Sequence, residues 1–211
     1  MKPGVLIFVP LLASPCAWGQ AAGWSQHERD LKMPEIVQAM GLREGSRAAD
    51  VGAGEGNYEP VLSRAVGTGG QVYAEDIDAG ALKQLRQAIR KAHLSNVKVI
   101  RGTADDPQLP AAQIDAVLMV IMYHEVADPQ KMIERVKAAL KPGGRLVVVD
   151  MAPHKTLTRP RADQTKNHVI APDTVESEVR AAGFEVVSRD DRFLDHPDEE
   201  STRYMLVFRK P

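Results

Sequence analysis

Asp50-Val51-Gly52-Ala53-Gly54-Glu55-Gly56 sets a carboxylate ahead of three glycines at alternating positions. One glycine would serve a tight turn, because glycine tolerates a positive φ. Three imply that something approaches the bare backbone and meets its N–H groups. A dinucleotide asks for Gly-x-Gly-x-x-Gly, with the third glycine where this chain has Asn57. Here Gly56 comes one residue early. Asp-x-Gly-x-Gly-x-Gly suits a ligand without pyrophosphate but with a charged amine, which the carboxylate of Asp50 would meet.

Further along, Ala74-Glu75-Asp76-Ile77-Asp78 places acids at the end of a strand. Asp76 falls where a carboxylate can accept both hydroxyls of a ribose. Glu75 should point to the opposite face, and Asp78 should cap the following helix. In Gly102-Thr103-Ala104-Asp105-Asp106, the backbone of Ala104 and the side chain of Asp105 offer one donor and one acceptor to an adenine edge. Met122-Tyr123-His124-Glu125 supplies acid–base groups. His124 is the candidate base near neutral pH, Tyr123 would orient an acceptor, and Glu125 would orient His124. The other role open to such a pair is to fix the loop by bonding backbone. No metal is expected: His124 and Glu125 are adjacent, no His-x-x-His or cysteine cluster accompanies them, and Asp150, with His154 beyond it, is followed by Met151.

These residues need a scaffold. Residues 27–42 read as a helix, 47–51 as a strand, 57–66 as a helix, 71–77 as a strand and 79–94 as a helix. Strands follow at 96–102 and 114–123, the latter apolar throughout as in a strand covered on both faces. A helix over 128–140 should stop at Lys141-Pro142-Gly143-Gly144, before a strand over 145–151. A helix over 172–184 precedes two strands, 185–194 and 203–210, whose short connection demands an antiparallel hairpin. The alternation makes an α/β domain: a mostly parallel sheet, helices on both faces, and an antiparallel C-terminal hairpin.

The chain has 211 residues, 44% hydrophobic and 26% charged, with a formal net charge of -1. That size suits one domain, and the charge gives no field for nucleic acid. Residues 1–23 carry Lys2, an apolar stretch from Val5 to Ala13 and then small residues. They read as a signal peptide or a disordered leader, with 24–211 as the domain. The expectation is export to the periplasm or medium, with a cytoplasmic address as the alternative, and no stable membrane insertion once the leader is gone. Cys16, the one cysteine, lies in that leader, so the domain has no thiol nucleophile. Acceptor specificity is expected from Trp24, His27 and Arg29 and from residues 152–171. There Lys155, Arg159, Arg161, Lys166 and His168 give a basic cast that would favour an anionic acceptor or simply form a solvated loop.

Taken together and in order, "DVGAGEG", "YAEDID", "GTADD", "IDAVLMVIMYHEV" and "LKPGGRLVVVD" resemble the five motifs of the class I S-adenosylmethionine-dependent methyltransferases, in their type-11 or ubiquinone-biosynthesis-like group. The resemblance covers about residues 28–211. It implies a Rossmann-like seven-stranded sheet whose last strand inserts antiparallel, with S-adenosyl-L-methionine as cofactor. By resemblance, Gly52, Ala53 and Gly54 approach the methionine part and Asp50 its amino group. Asp76 takes the ribose, Ile77 lies against the adenine with Ala104 and Asp105 at its edge, and Val120 closes the site. Many relatives carry Gly-Asp-Ala where this chain has Gly102-Thr103-Ala104. The implied activity is methyl transfer to a small-molecule acceptor. The alternative is a cofactor-binding or sensor module without catalysis. A nicotinamide-dependent reductase fits less well, since the chain also lacks a Tyr-x-x-x-Lys pair.

Overall fold

A computed structural model describes residues 31–153, 160–194 and 201–211. The leader, Trp24, His27, Arg29, His154, Lys155 and Arg159 lie outside the described residues. The elements in chain order are α1 (Met33–Met40), β1 (Arg47–Val51), α2 (Glu59–Val66), β2 (Gln71–Asp76), α3 (Ala79–Lys91), β3 (Val97–Arg101) and β4 (Ile114–Val120). After a 3-10 turn, Tyr123–Glu125, come α4 (Pro129–Ala139), β5 (Leu140–Pro153), α5 (Arg161–Thr165), α6 (Pro172–Ala181), β6 (Glu185–Leu194) and β7 (Ser201–Arg209).

Among the described residues the strands form a seven-stranded sheet in the order β3-β2-β1-β4-β5-β7-β6. β1 to β5 pair in parallel, and β7 runs antiparallel between β5 and β6. β1 and β4 are direct neighbours, yet the chain leaves β1 toward β2 on one side and β4 toward β5 on the other. A ligand crevice opens at the C-terminal ends of strands where order reverses in this way.

The period of two along each strand sorts its side chains into two cores. Ala49, Val117, Met119, Leu146 and Val148 join Met132, Ile133 and Val136 of α4 and Val175 and Val179 of α6 on one face. Ala48, Ala116, Leu118, Val147 and Val149 join Met33, Ile36, Val37 and Met40 of α1 and Val61, Leu62 and Val66 of α2 on the other. Each large apolar side chain buried this way contributes about 1.5–3 kcal/mol. Leu82 and Leu85 anchor α3 on Ala53 and Ala74. That contact fixes the helix beside the glycine loop.

Helix starts are set locally. Asp78 accepts from the N–H of Ala81 at 2.7 Å, and Asp128 from that of Lys131 at 3.0 Å, as N-caps do. Several boundaries differ from expectation. α3 stops at Lys91, α6 stops at Ala181, and β4 ends at Val120 so that 121–123 leave the strand. The four residues expected as a plain turn after α4 instead bulge within β5. Ile114 pairs with Leu140, and the next pair is Ala116 with Arg145. Gly143, at φ 76, makes that excursion while its N–H donates to Lys210 O. Among the described residues, no helix is long and apolar enough to cross a membrane.

Candidate active site

The glycine loop leaves β1 and folds straight onto β2. The N–H groups of Gly52 and Ala53 both donate to Glu75 O, at 3.0 and 2.8 Å. Gly52, Gly54 and Gly56 all have positive φ, at 77°, 56° and 95°. A Cβ on Gly52 would stand 2.9 Å from the Met122 side chain, and one on Gly56 2.8 Å from Leu85. Gly54 has open space where its Cβ would be. The glycines thus serve a left-handed path and close packing on both sides of the loop.

Beside this loop lies a cavity of about 220 Å³, lined by residues that include Gly52, Asp76, Ile77, Ala104, Met122 and Glu125. Asp76 Oδ2 accepts from Gly54 N–H at 2.9 Å, and its Oδ1 from Asp78 N–H at 2.8 Å. Each oxygen keeps a lone pair for a hydroxyl, while the two backbone bonds hold the carboxylate at the cavity wall. Ile77 is 52% exposed, a large apolar surface left bare next to that carboxylate. A flat ring can cover it.

Several other expected residues are placed differently. Asp50 is buried beneath the loop and does not line the cavity. Ala53 packs under the loop against α3, and Val120 packs against the α1–α2 core. Asp105 is turned away from the adenine position expected of it. It pairs with Lys131 on α4 and accepts from the Thr103 hydroxyl at 3.0 Å. Those bonds, Lys131 first, lower its pKa. Thr103 and Ala104 line the cavity instead, and the Thr103 hydroxyl joins Lys131 in holding Asp105.

Glu75 was not expected in the site, yet it is 2% exposed and lines the cavity. Burial raises its pKa to about 8; nearby Gly52 and Gly102 backbone offsets part of this, and the Asp76 charge adds to it. Gly102 is required here, because a Cβ on it would stand 1.9 Å from Glu75 Oε1. Asp50 and Glu59 form a second buried acid pair. Burial foremost, then the facing Glu59 carboxyl, raises Asp50, and burial raises Glu59. Asp50 Oδ2, both Glu59 oxygens and Glu75 Oε1 have no hydrogen-bond donor among the described residues. Orphaned buried carboxylate oxygens are costly, and that of Glu75, which lines the cavity, favours a cationic ligand there.

At the end of β4, Ile121 adopts φ 50. A β-branched residue there is strained by about 1–3 kcal/mol. The bend brings Met122, Glu125 and Val126 to the cavity wall. Tyr123 turns the other way. It is fully buried and its hydroxyl donates to Glu178 Oε2 at 2.9 Å. Arg161 pairs with Glu178 at 3.0 Å and donates to Tyr123 O at 3.1 Å. Burial, then the Glu178 charge, pushes the phenol far above its ordinary pKa. It is a strut between the 3-10 turn and α6 rather than a group at the cavity. His124 is buried, and both its backbone N–H and its Nδ1 meet Asp150, at 3.0 and 2.8 Å. Burial opposes protonation of the ring, but the Asp150 bond and charge, with Glu125, outweigh it and raise the pKa. Its Nε2 lies 3.7 Å from Glu125 Oε1.

A family model described as a methyltransferase domain matches residues 49–148, which contain the loop, the acid of β2 and the β4 turn. The ubiquinone/menaquinone biosynthesis C-methyltransferase UbiE of Erwinia tasmaniensis is 27% identical over 173 residues, covering 81% of this chain and 68% of that protein. The matched domain and this relative support a class I S-adenosylmethionine-dependent methyltransferase. In fold it is similar to a SAM dependent methyltransferase from Aquifex aeolicus, with TM-score 0.74, 24% identity, and 89% and 94% of the two chains covered. It is similar also to the [4+2]-cyclase SpnF, with TM-score 0.76, 19% identity, and 92% and 86% covered.

S-adenosyl-L-methionine is the methyltransferase's cofactor, and the residues present fit it. The molecule carries an adenine, a ribose diol, an ammonium and a sulfonium. The wall offers a bare Ile77, a fixed Asp76 and the Glu75 carboxyl, whose Oε1 has no donor among the described residues. Signals for Glu75, Ile121 and Met122 were weak in the sequence: an acid inside a strand and two apolar residues that continue an apolar run. His168, read in the sequence as part of the basic acceptor segment, is brought beside Glu125 with its Nδ1 3.9 Å from Oε1.

Proposed function

We propose that the methyltransferase moves a methyl group from S-adenosylmethionine to a small organic acceptor by in-line displacement. Bound there, the sulfonium supplies an activated methyl group: the acceptor's lone pair forms the new bond, the S–C electron pair returns to sulfur, and any acceptor proton leaves. The observation that carries the reading is the single cavity that joins Asp76 and Ile77 to Met122, Glu125 and Val126. In that space the nucleoside would lie against Asp76 and Ile77, with the β4 turn facing it. The protein's own work is positioning: Asp76 and the loop orient the nucleoside, and Met122 and Val126 exclude water. Glu125, with His124 and His168 beside it, is where an acceptor would be oriented or lose a proton.

A small acceptor is supported by the UbiE relatives, named as quinone-biosynthesis C-methyltransferases. Among the described residues, the cations that suggested an anionic acceptor are engaged, Arg161 with Glu178 and Lys166 with Asp163. Export by residues 1–23 remains our proposal, and N-terminal sequencing from the native host tests it.

The test of function is turnover. Purified protein is incubated with S-adenosylmethionine and a panel of phenols, quinols, amines and thiols, and S-adenosylhomocysteine is measured. Acceptor-dependent product supports the reading. Tight binding of S-adenosylmethionine with no product from any acceptor class would favour the binding module, and the cyclase that shares this fold makes that outcome worth testing.

A further inference from the structure

His124, Glu125 and His168 bring one ligand atom each within 4.8 Å of one another. The geometry points to a binding site for a divalent transition metal of the zinc, cobalt or iron(II) kind at these three side chains, with an open coordination position beside the cavity.

Two imidazoles and a carboxylate form the donor set of catalytic metal sites that leave a position for water or substrate. The fold prepares the buried member first. Asp150, which is fully buried, accepts at Oδ1 from His124 Nδ1 at 2.8 Å. That bond places the proton on Nδ1 and leaves the Nε2 lone pair free, the carboxylate–histidine arrangement found behind metal-bound imidazoles. The backbone N–H of His124 also donates to Asp150, at 3.0 Å, so the ring has no freedom to swing away. His124 is followed directly by Glu125, whose Oε1 lies 3.7 Å from Nε2.

The third donor arrives from another part of the chain. Ile170 N–H donates to Met151 O at 2.8 Å, stitching the segment after α5 to the strand that carries Asp150. His168 sits in that segment at φ 54, a left-handed conformation. Its ring meets that of His124 edge-on, with centroids 5.8 Å apart and planes at 89°. Its Nδ1 lies 3.9 Å from Glu125 Oε1. Ligand atoms around a tetrahedral zinc stand roughly 3.3 Å apart. Two of the gaps, 3.7 and 3.9 Å, are wider than that and the third is no more than 4.8 Å, and the side chains of His168 and Glu125 are 74% and 67% exposed, free to close on an ion that His124 anchors.

Glu125 also lines the cavity, so the open position faces the acceptor side of the proposed active site. To that extent the inference rests on the methyl-transfer reading. A metal there would hold an oxygen, nitrogen or sulfur donor of the acceptor, and His124 would serve as a ligand rather than as a base.

The experiment uses the full chain, stripped with chelator and titrated with Zn²⁺ and Co²⁺, by calorimetry and by the ligand-field absorption of cobalt. S-adenosylhomocysteine affinity is measured on the same preparations. One equivalent of metal should bind, with at least a tenfold weaker affinity in both His168→Ala and Glu125→Gln. Both residues are exposed, and thermal unfolding of the metal-free variants checks that they fold. S-adenosylhomocysteine affinity should be unchanged in His168→Ala. No saturable binding to the wild type, or equal affinity in both variants, overturns the site. Metal binding as described without any affinity for S-adenosylhomocysteine would sink the methyl-transfer reading and leave the metal site standing.

Discussion

Replacing Glu75 by Gln tests the buried acids directly. Gln has the shape of the neutral acid and never ionises. The ordinary glutamate value of 4.5 rises to about 8 in the fold, chiefly through burial. The folded chain therefore holds this proton more tightly than the unfolded chain. Its stabilisation is complete below pH 4.5 and is lost as pH climbs from 4.5 through about 8. At about 1.4 kcal/mol per pH unit the upper bound is about 5 kcal/mol. Relaxation and water entry bring the expected loss to about 2–3 kcal/mol. For a chain of this length that is a fall of about 5–10 °C in melting temperature. The assay is urea and thermal unfolding of ligand-free wild type and Glu75→Gln from pH 5 to pH 9. The wild type should weaken with rising pH more steeply than the variant, whose remaining slope comes from Asp50 and Glu59. Parallel curves over that range would refute the buried, protonated Glu75 and the claim that this wall awaits positive charge.

Asp76→Ala removes the carboxylate held by Gly54 and Asp78, and should weaken S-adenosylmethionine binding by about 1–3 kcal/mol, read by calorimetry; unchanged affinity in a folded variant would dismiss the ribose assignment. Tyr123→Phe deletes the bond to Glu178 and should cost about 1–2 kcal/mol in urea unfolding while turnover per folded molecule stays near wild type; a large fall in kcat would return the phenol to the chemistry. His124→Ala should lower turnover at least tenfold with nucleoside affinity nearly intact, since the ring is not among the residues lining the nucleoside wall; full activity would retire it as base and as ligand.

The strand and helix order, the glycine loop and the acid at the end of β2 could all be read from local pattern, because period two, period 3.6 and turn residues act over a few positions. The helix cap at Asp78 was equally local. The continuous apolar run of β4 told that the strand is covered on both faces, but not that 121–123 leave the strand and turn Tyr123 into the core. That outcome depends on Glu178 and Arg161, which lie far along the chain.

The same limit explains the rest of the site. Glu75 was assigned by alternation to the face away from Asp76, yet packing folds the loop and Gly102 around it so that it reaches the cavity. Asp105 looked like a reader of adenine until α4 set Lys131 against it. His124, Asp150 and His168 come from three separate stretches and meet because β5 lies beside β4 and the segment after α5 is tied to β5. Composition and spacing record what each stretch prefers to become. Which side chains then share a dielectric, a proton or an ion is settled by contacts across crossovers, whose energies depend on distances that no local pattern contains.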